Sequence, residues 1–476
     1  MTIKYYSEEE QKHKLHNGNP LLILDYPCHV NDGIIKLRES KENELIELFE
    51  EKKIGKNIQF FIPASGSGSR MFQFLFEFLG DPNEENRSKA EKFINRIKEF
   101  AFYYKLPIQI RNRFEKEEIE LSEFIEFILF DECLNFSNSP KGLIPFHKSG
   151  NFILNPFQEQ ILQGINIAGE DTVFNFSIQK KHESRIKDSL KTLADISGKN
   201  PEILYSEQDA KTDAIAFSTE LIPAKDEEGN YIYRPSGHGA LLSNLNQVDA
   251  DIVLIKNIDN VQHIEKSAKA VDNFKMLAGI LIDVQSNIFE AIHNLNGGQR
   301  KEGIHLIKEL NKSYQLYHHS IDLERFTDEQ LIELLHRPTR VCGMVVNEGQ
   351  PGGGPYWVKN EDGIVSKQIV EKAQISKDKE QYYKMLKATH HNPVEIVCGL
   401  KDYQGEKFDL SEYANDDLYF IVEKDQQGQK IRYIERPGLW NGSMDDWNTI
   451  FVEVSSKTFT PVKTILDLLE KGHRED

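Results

Sequence analysis

The chain has 476 residues, of which 39% are hydrophobic and 28% charged, with 30 glycines and 17 prolines. At roughly 150 residues per domain, this length predicts about three domain-sized units or one large α/β core with insertions, and the composition excludes a disordered, collagenous or fibrous chain. Its 58 Lys and Arg against 76 Asp and Glu give a net charge of −18, which argues against nucleic acid or a membrane surface as partner, because both require a positive footprint.

The chain carries no signal for a membrane span or for export. No apolar stretch approaches the ~20 residues of a spanning helix. The first residues, MTIKYYSEEEQ, are polar where a secretory signal would be apolar, so we expect a cytoplasmic protein. The four cysteines, Cys28, Cys133, Cys342 and Cys398, stand singly, which predicts neither disulfides nor a structural zinc site.

In chain order, the first segment is predicted to be helical. Apolar side chains at Leu45, Ile46, Leu48 and Phe49 recur at helical spacing, with charged residues between them. A strand, a loop and a helix follow. The apolar run NIQFFIP predicts a buried strand, a Gly/Ser loop comes next, and MFQFLFEFLG predicts a helix. A parallel sheet builds a nucleotide site in this order.

The rest of the chain predicts an α/β fold with two helical insertions. Residues 81–139 and 262–336 show helical patterns, whereas the other stretches alternate strand-like and helix-like runs, as in a mostly parallel sheet with helices on both faces. We therefore predict an N-terminal helical segment over 1–56, an α/β core over 57–400 that carries both insertions, and a strand-rich segment over 401–476.

The first candidate site is the Gly/Ser loop. Its glycines let the backbone approach a phosphate, its serines add donors, and its arginine adds a positive charge; the residues are Ser65, Gly66, Ser67, Gly68, Ser69 and Arg70. An ordinary turn between a strand and a helix would use the same residues.

The second candidate is Lys141, between Pro140 and Gly142. A stiff residue and a permissive one set its backbone, and its ammonium group is free to meet an anion. An ordinary surface lysine is the alternative.

Two further candidates lie in the middle of the chain. Gly237-His238-Gly239 precedes a predicted helix and could expose its backbone to a flat ligand such as a base. Asp259 follows an apolar strand, at the sheet edge where such folds bind ligands, and would suit Mg²⁺. Each could also be a plain turn residue.

The order of these four segments resembles that of the UDP-sugar pyrophosphorylases, which include the UDP-N-acetylglucosamine and UDP-glucose enzymes. The family's GGxGTRL, PKG, P-x-G-[NH]-G and VDN motifs are similar to Ser65–Met71, Pro140–Gly142, Pro235–Gly239 and Ile258–Asn260. Weaker similarity extends to the family's later motifs, at Val341–Val345, Ile369–Ser376 and Pro461–Thr464.

The resemblance implies a Rossmann-like sheet of the nucleotide-diphospho-sugar transferase, or GT-A-like, type. It implies Mg²⁺-dependent joining of UTP and a sugar 1-phosphate into a UDP-sugar and pyrophosphate, both substrates being small molecules. The implied roles are triphosphate binding for Ser65–Ser69 with Arg70, and transition-state stabilisation for Lys141 and for Mg²⁺ on Asp259. The remaining implied contacts are uracil for Gly237, His238 and Gly239, the sugar for Gly343 and Glu371, the sugar phosphate for Lys463, and a second metal contact for Asn441.

The chain also departs from the family pattern. Ser65 replaces a glycine, Ser69 replaces a threonine, and Pro140 follows the loop by about seventy residues, far more than in the family. We interpret the chain as a member of a bacterial family of unknown function related to these enzymes. A non-catalytic nucleotide-sugar-binding protein and a GT-A-type glycosyltransferase stay open as alternatives, as do the sugar and the oligomeric state.

Overall fold

The computed structural model describes residues 4–130, 133–349, 352–360, 363–426 and 429–475. Within them the chain forms these α-helices: α1 (Glu8–Asn17), α2 (Glu39–Lys52), α3 (Gln73–Gly80), α4 (Glu84–Ile94), α5 (Ile108–Glu115), α6 (Leu121–Leu129), α7 (Pro156–Ala168), α8 (Glu183–Ser197), α9 (Leu242–Gln247), α10 (Ala268–Asn296), α11 (Arg300–Tyr314), α12 (Asp328–Leu335) and α13 (Lys379–Leu386).

The strands of the same residues are β1 (Ile23–Pro27), β2 (His29–Val30), β3 (Gly33–Ile35), β4 (Ile58–Pro63), β5 (His147–Ser149), β6 (Phe152–Leu154), β7 (Val173–Ser177), β8 (Ile203–Ser206), β9 (Ala214–Ile215), β10 (Tyr233–Arg234), β11 (Ile252–Lys256), β12 (Thr339–Val346), β13 (Gly354–Lys359), β14 (Val365–Val370), β15 (His390–His391), β16 (Glu395–Gly399), β17 (Phe420–Gln426), β18 (Gln429–Glu435) and β19 (Asn448–Glu453). No helix among the described residues is long and apolar enough to cross a membrane.

The chain divides into two compact units. Unit 1 is formed by the chain up to residue 59, by 207–255 and by 273–455, whereas unit 2 is formed by 60–206, by 256–272 and by the chain from 456 onward. These boundaries differ from the predicted 1–56, 57–400 and 401–476, because both units are assembled from segments that are distant in sequence.

Unit 1 contains a sheet whose strand order is β2-β3-β19-β12-β16-β11. Strands β2, β3, β19 and β12 are parallel to one another, and β16 is antiparallel to β12. The strands β12 and β19 are almost entirely buried, as expected for parallel strands covered on both faces. An antiparallel sheet, β1-β13-β14, lies in the same unit.

The first 56 residues, predicted to be helical, contain the strands β1, β2 and β3 as well as the helices α1 and α2. Strand β1 pairs with β13, with Ile23 opposite Lys359, and β3 joins the sheet of unit 1 beside β19. Partners more than 300 residues away in sequence create these strands, so the local pattern of the segment does not reveal them.

Unit 2 contains strands in the order β4-β7-β8, with β7 and β8 parallel, and a β5-β6 hairpin. Together the two units confirm the prediction of a mixed α/β fold with a mostly parallel sheet. Residues 81–139 form helices α4, α5 and α6 with no strand among their described residues, and residues 262–336 form the helices α10, α11 and α12.

The helices of residues 81–139 share a hydrophobic core with the Gly/Ser loop region. Phe93, Phe124 and Phe136 are buried in one cluster with Phe72 and Val462. The rings of Phe72 and Phe136 stack with their centroids 5.3 Å apart. Because of this packing, the chain lies beside the Gly/Ser loop again at Pro140, about seventy residues later. The sequence pattern alone does not predict this return.

Candidate active site

The Gly/Ser loop follows β4 and ends in a short 3-10 helix, Ser69–Phe72. A Cβ built on Gly66 would meet nothing within 4 Å, whereas one on Gly68 would lie 2.4 Å from Ile144 Cδ1. Within the loop, the hydroxyls of Ser67 and Ser69 are 2.8 Å apart. Gly66 therefore leaves open space at the loop, and Gly68 is required by packing.

The Pro-Lys-Gly segment is fastened directly to this loop. The Gly68 N–H donates to the Ser139 carbonyl (3.0 Å), and the Lys141 N–H donates to the Gly66 carbonyl (3.0 Å). Ser67 and Pro140 form an isolated β-bridge. Backbone hydrogen bonds thus join the two segments directly, although the helices of residues 81–139 separate them in sequence.

Gly142 serves close packing. A Cβ at this position would lie 2.5 Å from a ring carbon of Phe157 in α7 and 3.0 Å from Ile258 Cγ1. The glycine therefore allows the segment after Lys141 to lie against α7 and the chain that leads to Asp259.

Lys141 and Asp259 form an ion pair at the centre of the site. Lys141 Nζ lies 2.5 Å from Asp259 Oδ2, and the side chains are 15% and 21% exposed. This partial burial strengthens the electrostatic interactions of both groups relative to water. The ammonium group has three donors and uses one here, so two can serve an anion.

The Pro461–Lys463 segment is hydrogen-bonded to the backbone around Asp259. The Val462 N–H donates to the Asp259 carbonyl (3.1 Å), and Pro461 forms a β-bridge with Asn260. Lys463 follows directly and is exposed. Unit 2 therefore brings together the Gly/Ser loop, Lys141, Asp259 and Lys463, which the sequence predicted as parts of one site.

A buried polar network connects helix α7 to the segment before Asp259 and to the C-terminal segment. Gln160 of α7 donates from Nε2 to the Asn257 carbonyl (3.0 Å). Its neighbour Glu159 lies 2.8 Å from His147 Nδ1, and His147 Nε2 lies 2.8 Å from His473 Nδ1. Burial raises the pKa of Glu159 to about 8 and lowers that of His147 to about 3, so neutral groups link α7 to the C-terminal segment at neutral pH.

The donor set at Asp259 fits one mode of Mg²⁺ binding. The described residues contain no group of three or more His, Cys, Asp or Glu that could hold a metal ion. Asp259 Oδ2 is engaged by Lys141, and no donor among the described residues contacts Oδ1. Mg²⁺ commonly binds through one or two carboxylates and completes its shell with substrate phosphates and water, so a single carboxylate with one oxygen not engaged by the protein fits this mode.

The Gly237-His238-Gly239 turn belongs to unit 1. The His238 ring stacks on Trp440 with centroids 4.1 Å apart, and Nδ1 accepts from the Leu439 N–H (2.9 Å). Burial lowers the pKa of His238 to about 4. The ring is therefore neutral at pH 7, with its proton on Nε2, and acts as a donor there.

The two glycines of this turn differ. Gly237 has a φ of +74°, a conformation that favours glycine. A Cβ at Gly239 would lie 2.0 Å from the Pro437 carbonyl oxygen. The space beside Gly239 is thus filled by the protein's own backbone.

The other predicted contacts in unit 1 are also engaged in the fold. Asn441 donates from Nδ2 to the Ile369 carbonyl (2.8 Å), and its buried Oδ1 has no hydrogen-bond partner among the described residues. Gly343 lies inside β12, where a Cβ would be 3.1 Å from Val454 Cγ2. Glu371 caps a short 3-10 helix, Lys372–Gln374.

Three residues of the unit 2 site were missed by sequence reasoning. Ser139 accepts the Gly68 N–H, Gln179 donates to the Ser65 carbonyl (2.7 Å), and Arg185 donates to the Ser139 hydroxyl (2.9 Å). Gln179 and Arg185 follow β7 closely in sequence, so the carboxyl end of that strand was the available signal.

The fold and the site define a mixed α/β protein in which a Gly/Ser loop, a lysine and a carboxylate meet after the strands of one unit. The chain belongs to the DUF4301 family, a domain of unknown function, which matches residues 2–474. The predicted membership of a family of unknown function is therefore confirmed. No curated protein matches the sequence.

Solved structures similar to the chain include two from Trypanosoma brucei. One is the uridine diphosphate N-acetylglucosamine pyrophosphorylase in complex with an inhibitor, with 12% identity, a TM-score of 0.46 and coverage of 93% of this chain and 72% of that one. The other is the UDP-glucose phosphorylase, with 11% identity, a TM-score of 0.43 and coverage of 96% and 72%. At this level of similarity, the function has to be inferred from the residues of the chain itself.

Proposed function

We propose that the chain is a nucleotidyltransferase that joins UTP and a sugar 1-phosphate into a UDP-sugar and pyrophosphate, with Mg²⁺ as cofactor. The observation that carries the proposal is the meeting, in unit 2, of the open Gly/Ser loop with Lys141, Asp259 and the segment before Lys463.

The proposed reaction requires positive charge more than it requires a nucleophile. The attacking oxygen of a sugar 1-phosphate is already anionic, so no side chain needs to remove a proton. The difficulty is to hold two anions together and to neutralise the charge that builds on the α-phosphate. Arg70 and Lys463 are exposed and form no ion pair with a described residue, so both cations are available to phosphates.

Lys141 is the proposed transition-state cation. Its ion pair with Asp259 fixes the ammonium group beside the loop, and its remaining donors can reach phosphate oxygens. The open space at Gly66 gives other oxygens of the triphosphate room next to the loop backbone. Asp259 would hold Mg²⁺, which when bound neutralises phosphate charge as a Lewis acid.

For unit 1, the base and sugar contacts that the sequence predicted stay proposals, argued from the residues of that unit alone. His238, fixed as an Nε2–H donor by the Leu439 contact, suits a carbonyl oxygen such as those of uracil. Gly237 and Gly239 shape the turn that holds this ring, and the sugar contacts predicted for Gly343 and Glu371 stay proposals. The mostly parallel sheet supports a GT-A-like arrangement.

A pyrophosphate-release assay tests the proposal. The chain is incubated with UTP, Mg²⁺ and each of a panel of sugar 1-phosphates, and we expect release with at least one of them. A matched reaction without sugar 1-phosphate controls for hydrolysis of UTP. Binding of UTP or a UDP-sugar without release would indicate a non-catalytic binding protein, and sugar transfer from a preformed UDP-sugar would indicate a glycosyltransferase.

A further inference from the structure

Arg185 is an unusual cation beside the Gly/Ser loop. It is exposed and lies in the first turn of α8, where the positive end of the helix dipole disfavours a positive side chain. A phosphate bound beside the guanidinium would offset this unfavourable interaction.

Its contacts connect it to the loop itself. Arg185 Nη2 donates to Ser139 Oγ (2.9 Å), and the carbonyl of the same serine accepts the Gly68 N–H. Arginine has five N–H donors in a planar fork that matches phosphate oxygens. The Ser139 contact uses one of them and holds the guanidinium beside the loop.

The surrounding charges leave Arg185 uncompensated. Glu183, the acid of the same helical turn, is shared by Lys180 (2.5 Å) and Lys187 (2.6 Å). Arg185 forms no ion pair with any described residue. The pKa of His182 is lowered first by desolvation and then by the charges of Lys181 and Arg185, so positive charge is concentrated here in a chain whose net charge is −18.

We propose that Arg185 is a further binding residue of the site and contacts the terminal phosphates of the nucleoside triphosphate, which leave as pyrophosphate. The inference rests on the proposed transferase function. It assigns the loop and Arg185 to the leaving group, whereas Lys141 and Asp259 act at the α-phosphate.

Calorimetric binding tests the inference. UTP, UMP and inorganic pyrophosphate are titrated, with Mg²⁺, into the unmodified chain and into the variants Arg185→Ala, Arg185→Lys and Lys187→Ala. We expect Arg185→Ala to weaken UTP and pyrophosphate by about tenfold or more and UMP by less than about twofold, since a charge-assisted hydrogen bond to a phosphate is lost. The lysine variant should be intermediate, because it keeps the charge but not the fork. Lys187→Ala, which removes a cation already paired with Glu183, should leave all three affinities unchanged.

The outcomes separate this inference from the proposed function. An equal loss of UMP and UTP affinity in Arg185→Ala, or unchanged pyrophosphate affinity, overturns it, as does a chain that binds no pyrophosphate. Should the unmodified chain release no pyrophosphate in turnover yet bind it through Arg185, the transferase proposal fails and the pyrophosphate site stands. Melting curves of each variant show whether a loss of affinity reflects a loss of fold.

Discussion

The two units use their predicted site residues in different ways. In unit 2, backbone hydrogen bonds join the loop to Lys141, while Arg70 and Lys463 keep their charges exposed. In unit 1, Gly239 packs against Pro437 and Gly343 against Val454. Substitutions of the charged residues of the unit 2 site should therefore reduce activity more than stability, and substitutions of the packed glycines of unit 1 should do the reverse.

The largest effect is expected at Asp259. Asp259→Asn removes the charge that would hold Mg²⁺, and we expect turnover to fall by about a thousandfold or more, since several kcal/mol of charge stabilisation are lost. The melting temperature should change little, because the side chain is partly exposed and its backbone contact with Val462 is kept. Pyrophosphate release as a function of Mg²⁺ concentration measures the loss.

Asp446→Asn is the matched control for this prediction. Asp446 also forms an ion pair, with Arg337 in unit 1, and its substitution should leave turnover unchanged. If Asp259→Asn retains full activity at every Mg²⁺ concentration, Asp259 has no part in metal binding.

Lys141→Ala should act on the chemical step. We expect kcat to fall by about a hundredfold or more, as when a preorganised donor at a developing charge is removed, and KM for UTP to change by less than about tenfold. Steady-state kinetics separate the two constants. Lys148→Ala, at an exposed lysine of the neighbouring hairpin, is the control. An effect on KM alone would make Lys141 a binding group.

The sequence could predict this site because its parts carry local signals. A buried strand followed by Gly66 and Gly68, a lysine between Pro140 and Gly142, and Asp259 after an apolar strand are each visible within ten residues. Their order along the chain was informative because the carboxyl ends of parallel strands meet at one edge of a sheet.

What the sequence could not provide depends on distant packing. The return of Lys141 to the loop requires the core that Phe72 shares with Phe136, and no local pattern encodes that contact. The proposed role of Arg185 depends on a side-chain hydrogen bond to Ser139, 46 residues earlier. Strand β1 likewise exists only through its pairing with β13.

Substitutions of two glycines of unit 2 should have effects of intermediate size and should separate binding from stability. Gly66→Ala adds a methyl group to open space, so we expect an unchanged melting temperature but about tenfold weaker UTP binding, because the backbone is less accessible to phosphate. Gly142→Ala places the same methyl group 2.5 Å from Phe157. Overpacking of this kind costs about 1–3 kcal/mol of unfolding free energy.

Thermal melting and UTP titration of both glycine variants give the comparison. The opposite pattern, in which Gly66→Ala melts early and Gly142→Ala is as stable as the parent chain, would mean that Gly66 is the packing residue and Gly142 the open one.

Lys367 in unit 1 is expected to give the smallest effect on activity, because its substitution should change stability alone. It is 3% exposed, and its Nζ has no hydrogen-bond partner among the described residues. The rings of Trp357 and Phe451, with centroids 5.7 and 5.5 Å from Nζ, favour the charged form by only about 1–2 kcal/mol. Desolvation outweighs them and lowers the pKa of Lys367 to about 7.

This shift makes Lys367 destabilising at neutral pH, in contrast to the exposed cations of unit 2. Between pH 7 and 10.5 the unfolded chain binds a proton at this lysine that the folded chain does not, so its cost is complete below pH 7 and vanishes above pH 10.5. Lys367→Met should therefore raise the melting temperature by several degrees at pH 7, and the gain should shrink as the pH rises. Lys359→Met, at the exposed end of β13, should show neither the gain nor its pH dependence. A Lys367→Met variant that melts below the parent chain at pH 7 would show that the ammonium group is stabilised where it lies.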